Sequence, residues 1–153
     1  GTAQEELGVR GAHTAVERVK PELGLSLESG AAADHPGGRP DAAQERLGAG
    51  PVLFIADSQM LVNTRLWDFF HQVASDVGIP VQTEVTLGGA EDAVEIQRYG
   101  GGTPSMNLAV ATRYLHGHNS VIDSKDLEQS IALLVAALAK LDRAAVTHIS
   151  RFQ

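Results

Sequence analysis

The chain has 153 residues, enough for one domain with a real core. Its 19 acidic and 12 basic side chains give a formal charge of −7, which argues against a nucleic-acid surface, where a basic patch must replace counterions. With no cysteine there is no disulfide, thiolate metal site or cysteine nucleophile, and no apolar run approaches the roughly 20 residues of a membrane span.

In chain order, Gly1 to Gln4 reads as the end of a buried strand. Val9, Ala12, Val16 and Val19 fall on one face of a helix that Pro21 stops. Leu23 to Glu28 (LGLSLE) is a short apolar strand, and Gly30 to Gly50 reads as a long loop. Pro51 to Ile55 is a second strand. Asn63 caps a helix to Val77 with Leu66, Phe69, Phe70 and Val73 inward, and Gly78 follows it. Val81 to Thr86 is a strand, and Asp92 to Tyr99 is a short helix ended by Gly100-Gly101-Gly102. Ser105 to Ala111 is a strand. Ser124 caps a last helix to Leu141, burying Leu127, Ile131, Leu134, Leu138 and Leu141. Strands alternating with helices predict an α/β fold, a layered and mostly parallel or mixed sheet with helices on both faces. No signal peptide opens the chain, and a cytoplasmic setting fits the missing cysteines. A start at Gly1 in the middle of a motif points to a processed or truncated product.

In such sheets the chemistry gathers at the carboxyl ends of the strands, which selects Glu5-Glu6, Glu28, the Gly88 to Asp92 turn and His116. Adjacent carboxylates repel, so a cation beside them is one reason for the pair. One glutamate would bind a metal while its neighbour takes a proton from metal-bound water. The plainer reading is a solvated pair with one residue facing out. Glu28 ends its strand as a ligand, a cap or an exposed acid. His116, with His118 two residues on, is a ligand or an exposed loop histidine. His13, His35, His71 and His148 sit in helical, loop or tail contexts and read as non-ligands. The triple glycine lacks the Lys-Ser/Thr of a phosphate loop and follows its helix. No Gly-x-Ser-x-Gly elbow supports a serine triad.

Several stretches together match one family. TAQEELGVRGA resembles the glutamate-pair motif of the clan MH aminopeptidases, in the group called glutamyl aminopeptidases, cellulase-M-like proteins or tetrahedral aminopeptidases (metallopeptidase family 42). ESGAAADHPG resembles its second metal motif, LGAGPVLFIADSQMLVNTRL its Gly-x-Gly-Pro strand, LGGAEDAVEIQRYGGGTPS its Gly-Gly-x-Thr-Asp-Ala segment, and RYLHGHNSVIDSKDLE its Arg-Tyr-x-His segment. They occur in the family's order over nearly the whole chain.

The resemblance implies a zinc-peptidase-like fold and a dinuclear aminopeptidase with two divalent ions, zinc or cobalt. Glu5 is then the general base, Glu6 and His116 hold one metal, and Glu28 holds the other. Glu28 stands where the family usually has Asp, and Glu91 where it usually has Thr, while Asp92 is kept; Glu91 and Asp92 are assigned to the substrate pocket. The family's His-x-Asp motif, bridging Asp and inserted dimerisation domain precede the glutamate pair and are absent from residues 1–153. The chain thus corresponds to the C-terminal portion of one catalytic domain, incomplete at its N-terminal side. Peptide substrates, a dimer-based homo-oligomer up to a dodecamer, and neither nucleic acid nor membrane are the expected partners. The alternatives are an inactive fragment or pseudoenzyme that keeps the fold, and, ranked last, an endoglucanase using two carboxylates.

Overall fold

A computed structural model describes residues 1–38 and 44–151. Its strands are β1 (Gly24–Ala31), β2 (Val52–Ala56), β3 (Gln82–Val85), β4 (Ser105–Arg113) and β5 (Val121–Ile122). Its helices are α1 (Arg10–Val19), α2 (Thr64–Asp76), α3 (Ala93–Arg98), α4 (Ser124–Lys140) and α5 (Arg143–Ser150). The sheet order is β1-β4-β2-β3, with β5 paired to β4. β1 runs parallel to β4 and β2 parallel to β3, while β2 meets β4 antiparallel, so the sheet is mixed. No helix among the described residues is long and apolar enough to cross a membrane.

Alternation along the strands gives the sheet two different faces. On one, Leu53, Met106 and Leu108 meet Leu66, Phe70 and Val73 of α2, Leu133 and Ala137 of α4, and Ile149 of α5. Each such large apolar side chain contributes about 1.5–3 kcal/mol on burial. The other face carries Val52, Phe54, Ala109 and Ala111. α3 also lies there, so close to β1 that a Cβ on Gly24 would sit 2.4 Å from Ile96 Cγ2. Polar residues share this second face: Ser26, Glu84, Ser105 and Asn107 are all buried.

The cap at Asn63 forms as expected, its side chain accepting the Leu66 N–H at 3.0 Å. Several expectations need correction. Gly1 to Gln4 forms no strand and is exposed, because Ala3 instead lies against the first turn of α1, where Gly11 N–H donates to Ala3 O at 2.8 Å. β1 continues to Ala31, into the stretch expected to be loop, and residues 39–43 of that stretch lie outside the described residues. Asp123, not Ser124, caps α4, accepting the Lys125 N–H at 2.8 Å. The buried face of α4 is Asp126, Ser130, Leu133 and Ala137; Leu127, Ile131 and Leu138 are 41%, 56% and 55% exposed. Asp126 wins the inward position because its carboxylate accepts the N–H groups of Gly48 and Gly50 at 2.7 and 2.8 Å. β5 and α5 were not foreseen.

Candidate active site

Glu5 and Glu6 occupy one 3-10 turn, Glu5–Leu7, between a left-handed Gln4 (φ 60°) and a left-handed Gly8 (φ 101°). Val9 is also left-handed, at φ 48°, although it is β-branched and buried. A branched residue is a strong outlier there. The Gly-x-x-Gly of this turn has two distinct roles. Gly8 supplies the positive φ, and at Gly11 a Cβ would come within 2.4 Å of Ala3 N and O. On the other side of the site, Tyr114 and His116 have φ 60° and 62°. Four of the five non-glycine positive-φ residues among those described (Lys20 is the fifth) therefore flank the same place. Strain held by its surroundings in this way clusters at functional sites.

That place is where Glu6 meets His116: Nε2 lies 3.1 Å from Glu6 Oε1, with both side chains largely exposed. Glu5, Glu6, Glu28, Glu91 and His116 line one cavity of about 430 Å³. A neighbouring cavity of about 630 Å³ shares Glu5 and Glu28 with it and adds Asp92. The six residues singled out in the sequence are thus gathered around two adjoining hollows. His118, His13, His35, His71 and His148 do not line the first. His13 pairs with Glu95 at 2.9 Å, His35 packs on Tyr114, and His71 packs on Trp67.

The charge arrangement is strongly one-sided. Burial, and then the neighbouring Glu6 and Asp92 charges, hold the Glu5 carboxyl above its ordinary range, against the pull of His116. Burial raises Glu28 as well, partly offset by the Ser26 hydroxyl that donates to it. Burial, followed by the charges of Glu28, Glu5, Asp57 and Glu84, pushes Glu91 up to about 8. Carboxyls raised together by burial and by one another mark a cluster whose charge is uncompensated within the described residues.

Carboxylate and imidazole are suitable donors for zinc-like ions, and Glu6 with His116 forms such a pair. The number of donors falls short. Among the described residues no three His, Asp or Glu side chains are grouped closely enough to hold one ion. Glu28 faces the same cavity without completing such a group.

Sequence reasoning missed Asp57 as an organiser of the site. It is buried, and its Oδ1 accepts the N–H groups of Gln59 and Met60 at 2.8 and 2.7 Å. Its Oδ2 accepts from Asn107 Nδ2 at 3.3 Å, with the Glu91 N–H at 3.5 Å. It thereby ties the Gly88–Glu91 loop to β4. Asp34 does similar work, accepting Nε and an Nη of Arg113, each at 2.7 Å, which holds its carboxyl below the usual range. Both lie in the stretches ESGAAADHPG and LGAGPVLFIADSQMLVNTRL that carry the family resemblance, but nothing in the sequence shows what their carboxylates accept.

The chain belongs to the M42 glutamyl aminopeptidase family, whose model matches residues 1–133. It is 32% identical to a putative aminopeptidase, FrvX, of Escherichia coli, over all of this chain and 43% of that protein. Among solved structures it resembles a TET aminopeptidase from a marine sediment thaumarchaeote with a TM-score of 0.94 and 36% identity, over 97% of this chain and 42% of that one. The Pyrococcus horikoshii TET1 peptidase, described as assembling into a tetrahedron or a large octahedral shell, matches at 30% identity and a TM-score of 0.77, over 90% of this chain and 39% of that one. The chain therefore spans about two fifths of the length of these relatives.

Proposed function

We propose that these residues are the C-terminal portion of the catalytic domain of a metal-dependent aminopeptidase that removes N-terminal residues from peptides. The observation that carries the reading is the Glu6–His116 contact of 3.1 Å beside Glu5 and over a cavity shared with Glu28. In it, Glu6 and His116 hold one divalent ion, zinc or cobalt, and Glu28 holds a second. Bound there, the ions would supply Lewis-acid activation of water and of the scissile carbonyl. Because the donors among the described residues are too few, the reading requires further ligands from outside them.

The chain's own residues have defined tasks. Glu5 accepts a proton from the attacking water at its carboxylate and returns it to the departing amine. Glu91 and Asp92 border the space where a substrate's terminal residue would sit. Asp57 positions Glu91 through the backbone. The horikoshii relative's shells make a homo-oligomer of the complete protein part of this proposal, as is a cytoplasmic setting. The test is a peptidase assay of the full-length gene product on aminoacyl-nitroanilides, with metal analysis and a chelator arm. Hydrolysis that needs the metal supports the reading, and metal-independent hydrolysis or none at all contradicts it.

A further inference from the structure

We infer that Glu91 selects the side chain of the substrate's terminal residue, and that the side chain it selects is cationic, a lysine or an arginine. This names a substrate class for the site proposed above and rests on that reading. There, Glu5, Glu6 and Glu28 have tasks in the chemistry, and Asp92 accepts the Thr2 hydroxyl. Glu91 is the carboxylate of the cluster left without a partner. Its backbone N–H lies 3.5 Å from Asp57 Oδ2, but among the described residues no hydrogen bond or ion pair reaches its side chain. It is also the position at which the sequence leaves the motif it otherwise resembles, so the preference belongs to this chain and not to the motif.

Charge, space and positioning fit a cation to this place. Glu91 is half-buried on the wall of the cavity of about 430 Å³ that Glu5, Glu6 and Glu28 also line. No lysine or arginine among the described residues lines that cavity, and its one basic side chain, His116, faces Glu6 at 3.1 Å. Arg98, which donates to the lining residue Gln59, is tied to Glu95 at 2.9 Å. Burial and the acidic neighbours raise the Glu91 carboxyl, so an ammonium or guanidinium beside it relieves the same repulsion, whereas an acidic side chain adds to it. An apolar side chain leaves the half-buried carboxylate unpaired, while a cationic one meets it in a charge-assisted hydrogen bond. Space is open for a long side chain: a Cβ on Gly88 would meet nothing within 4 Å, and one on Gly89 only Thr86 Cγ2 at 3.8 Å. The loop is held in advance, because the Ser58 N–H donates to Gly89 O at 3.0 Å and Asp57 holds the next turn, so less ordering is needed when the ligand arrives.

The experiment uses the metal-loaded full-length gene product and the nitroanilides of lysine, arginine, leucine and glutamate. The lysyl and arginyl substrates should exceed the leucyl one by about ten-fold or more in kcat/KM, with the glutamyl one poorest. Glu91→Thr should cut the lysyl-to-leucyl ratio by about ten-fold or more, chiefly through KM. Glu91→Lys should put the glutamyl substrate ahead of the lysyl one. A loss shared equally by all four substrates would make Glu91 structural, or an anchor for the α-amino group they have in common, and would overturn the inference. So would a wild-type protein that prefers the leucyl or glutamyl substrate, a result that needs no folded variant. Calorimetric titration of the same proteins with lysinamide and leucinamide separates this inference from the reading it rests on. A protein that hydrolyses none of the nitroanilides refutes the proposed chemistry. Lysinamide bound about ten-fold more tightly than leucinamide, with the preference lost in Glu91→Thr, would even then support the cationic pocket, and equal binding of the two would overturn it.

Discussion

The two edges of the sheet are finished in opposite ways. At β3 the chain closes its own edge: the Gln44 side chain donates to Val85 O at 3.0 Å and accepts the Val85 N–H at 2.9 Å, as a strand would. The Gln82 side chain accepts the Arg46 N–H at 2.8 Å and donates to Arg46 O at 2.9 Å. Between them Glu45 turns inward, 1% exposed, against Gly30, where a Cβ would lie 2.2 Å from its Oε2. At β1 nothing comparable exists among the described residues, and the trough beside it ends in the acidic site. The sheet is covered at β3 by the chain's own side chains and open at β1 beside the acidic cluster.

The largest effect should come from the open side. Glu5→Gln in the full-length protein is expected to keep fold and metal content and to lose about 10²–10⁴-fold in kcat, the usual worth of a positioned base. Steady-state kinetics on an aminoacyl-nitroanilide checks it; more than about a tenth of the activity remaining would remove Glu5 from that role.

In the core, Leu66→Ala should cost about 2–5 kcal/mol in urea unfolding, because Leu66 is fully buried between α2 and the sheet. Leu27→Ala at the open edge should stay within about 0.5 kcal/mol in the short chain. Similar costs for the two would mean that the β1 edge is not open.

The sealed edge should betray itself through pH. Among the described residues no N–H or O–H donor reaches either Glu45 oxygen, and its neighbour is the Glu84 carboxyl, so a shared proton would satisfy the pair. Burial first, then the Glu84 charge, push Glu45 up to about 9. Unfolded, it returns to about 4.3. Between these values the folded state binds more protons than the unfolded one, so this contribution is full below about pH 4 and is lost as pH rises toward 9. Glu45→Gln should flatten that fall and stabilise the chain at pH 8 by on the order of 1–3 kcal/mol. Thermal melts from pH 5 to 9 decide the point, and an unchanged slope would sink the shared proton. Asn63→Ala is expected to cost about 1 kcal/mol for the lost α2 cap in the urea unfolding assay.

Much of this was legible in the residues. The VLFIA run of β2, the Asn63 cap and the Pro21 stop mark their elements because each is a local signal. α4 was misread because IALLVAALA is apolar on every side, so periodicity could not choose between Ile131 and Leu133. The choice was made by Asp126, whose partners at Gly48 and Gly50 are 78 and 76 residues away in the chain. Glu28 and His116 were legible as residues at or after strands of one sheet, whereas Glu5 and Glu6, expected after a strand, sit in a turn packed before α1. The left-handed Val9 and the bridging role of Asp57 were not legible, because both depend on what packs around them.

The central claim is that this chain carries part of a two-metal site which it cannot complete alone. Isothermal titration with zinc or cobalt, paired with a leucine- or glutamate-nitroanilide assay on the short chain and on the full-length protein, tests it most directly. The account predicts two ions per chain and turnover in the full-length protein, with weak binding and no turnover in the short chain. Tight binding of two ions with turnover by residues 1–153 alone would contradict it.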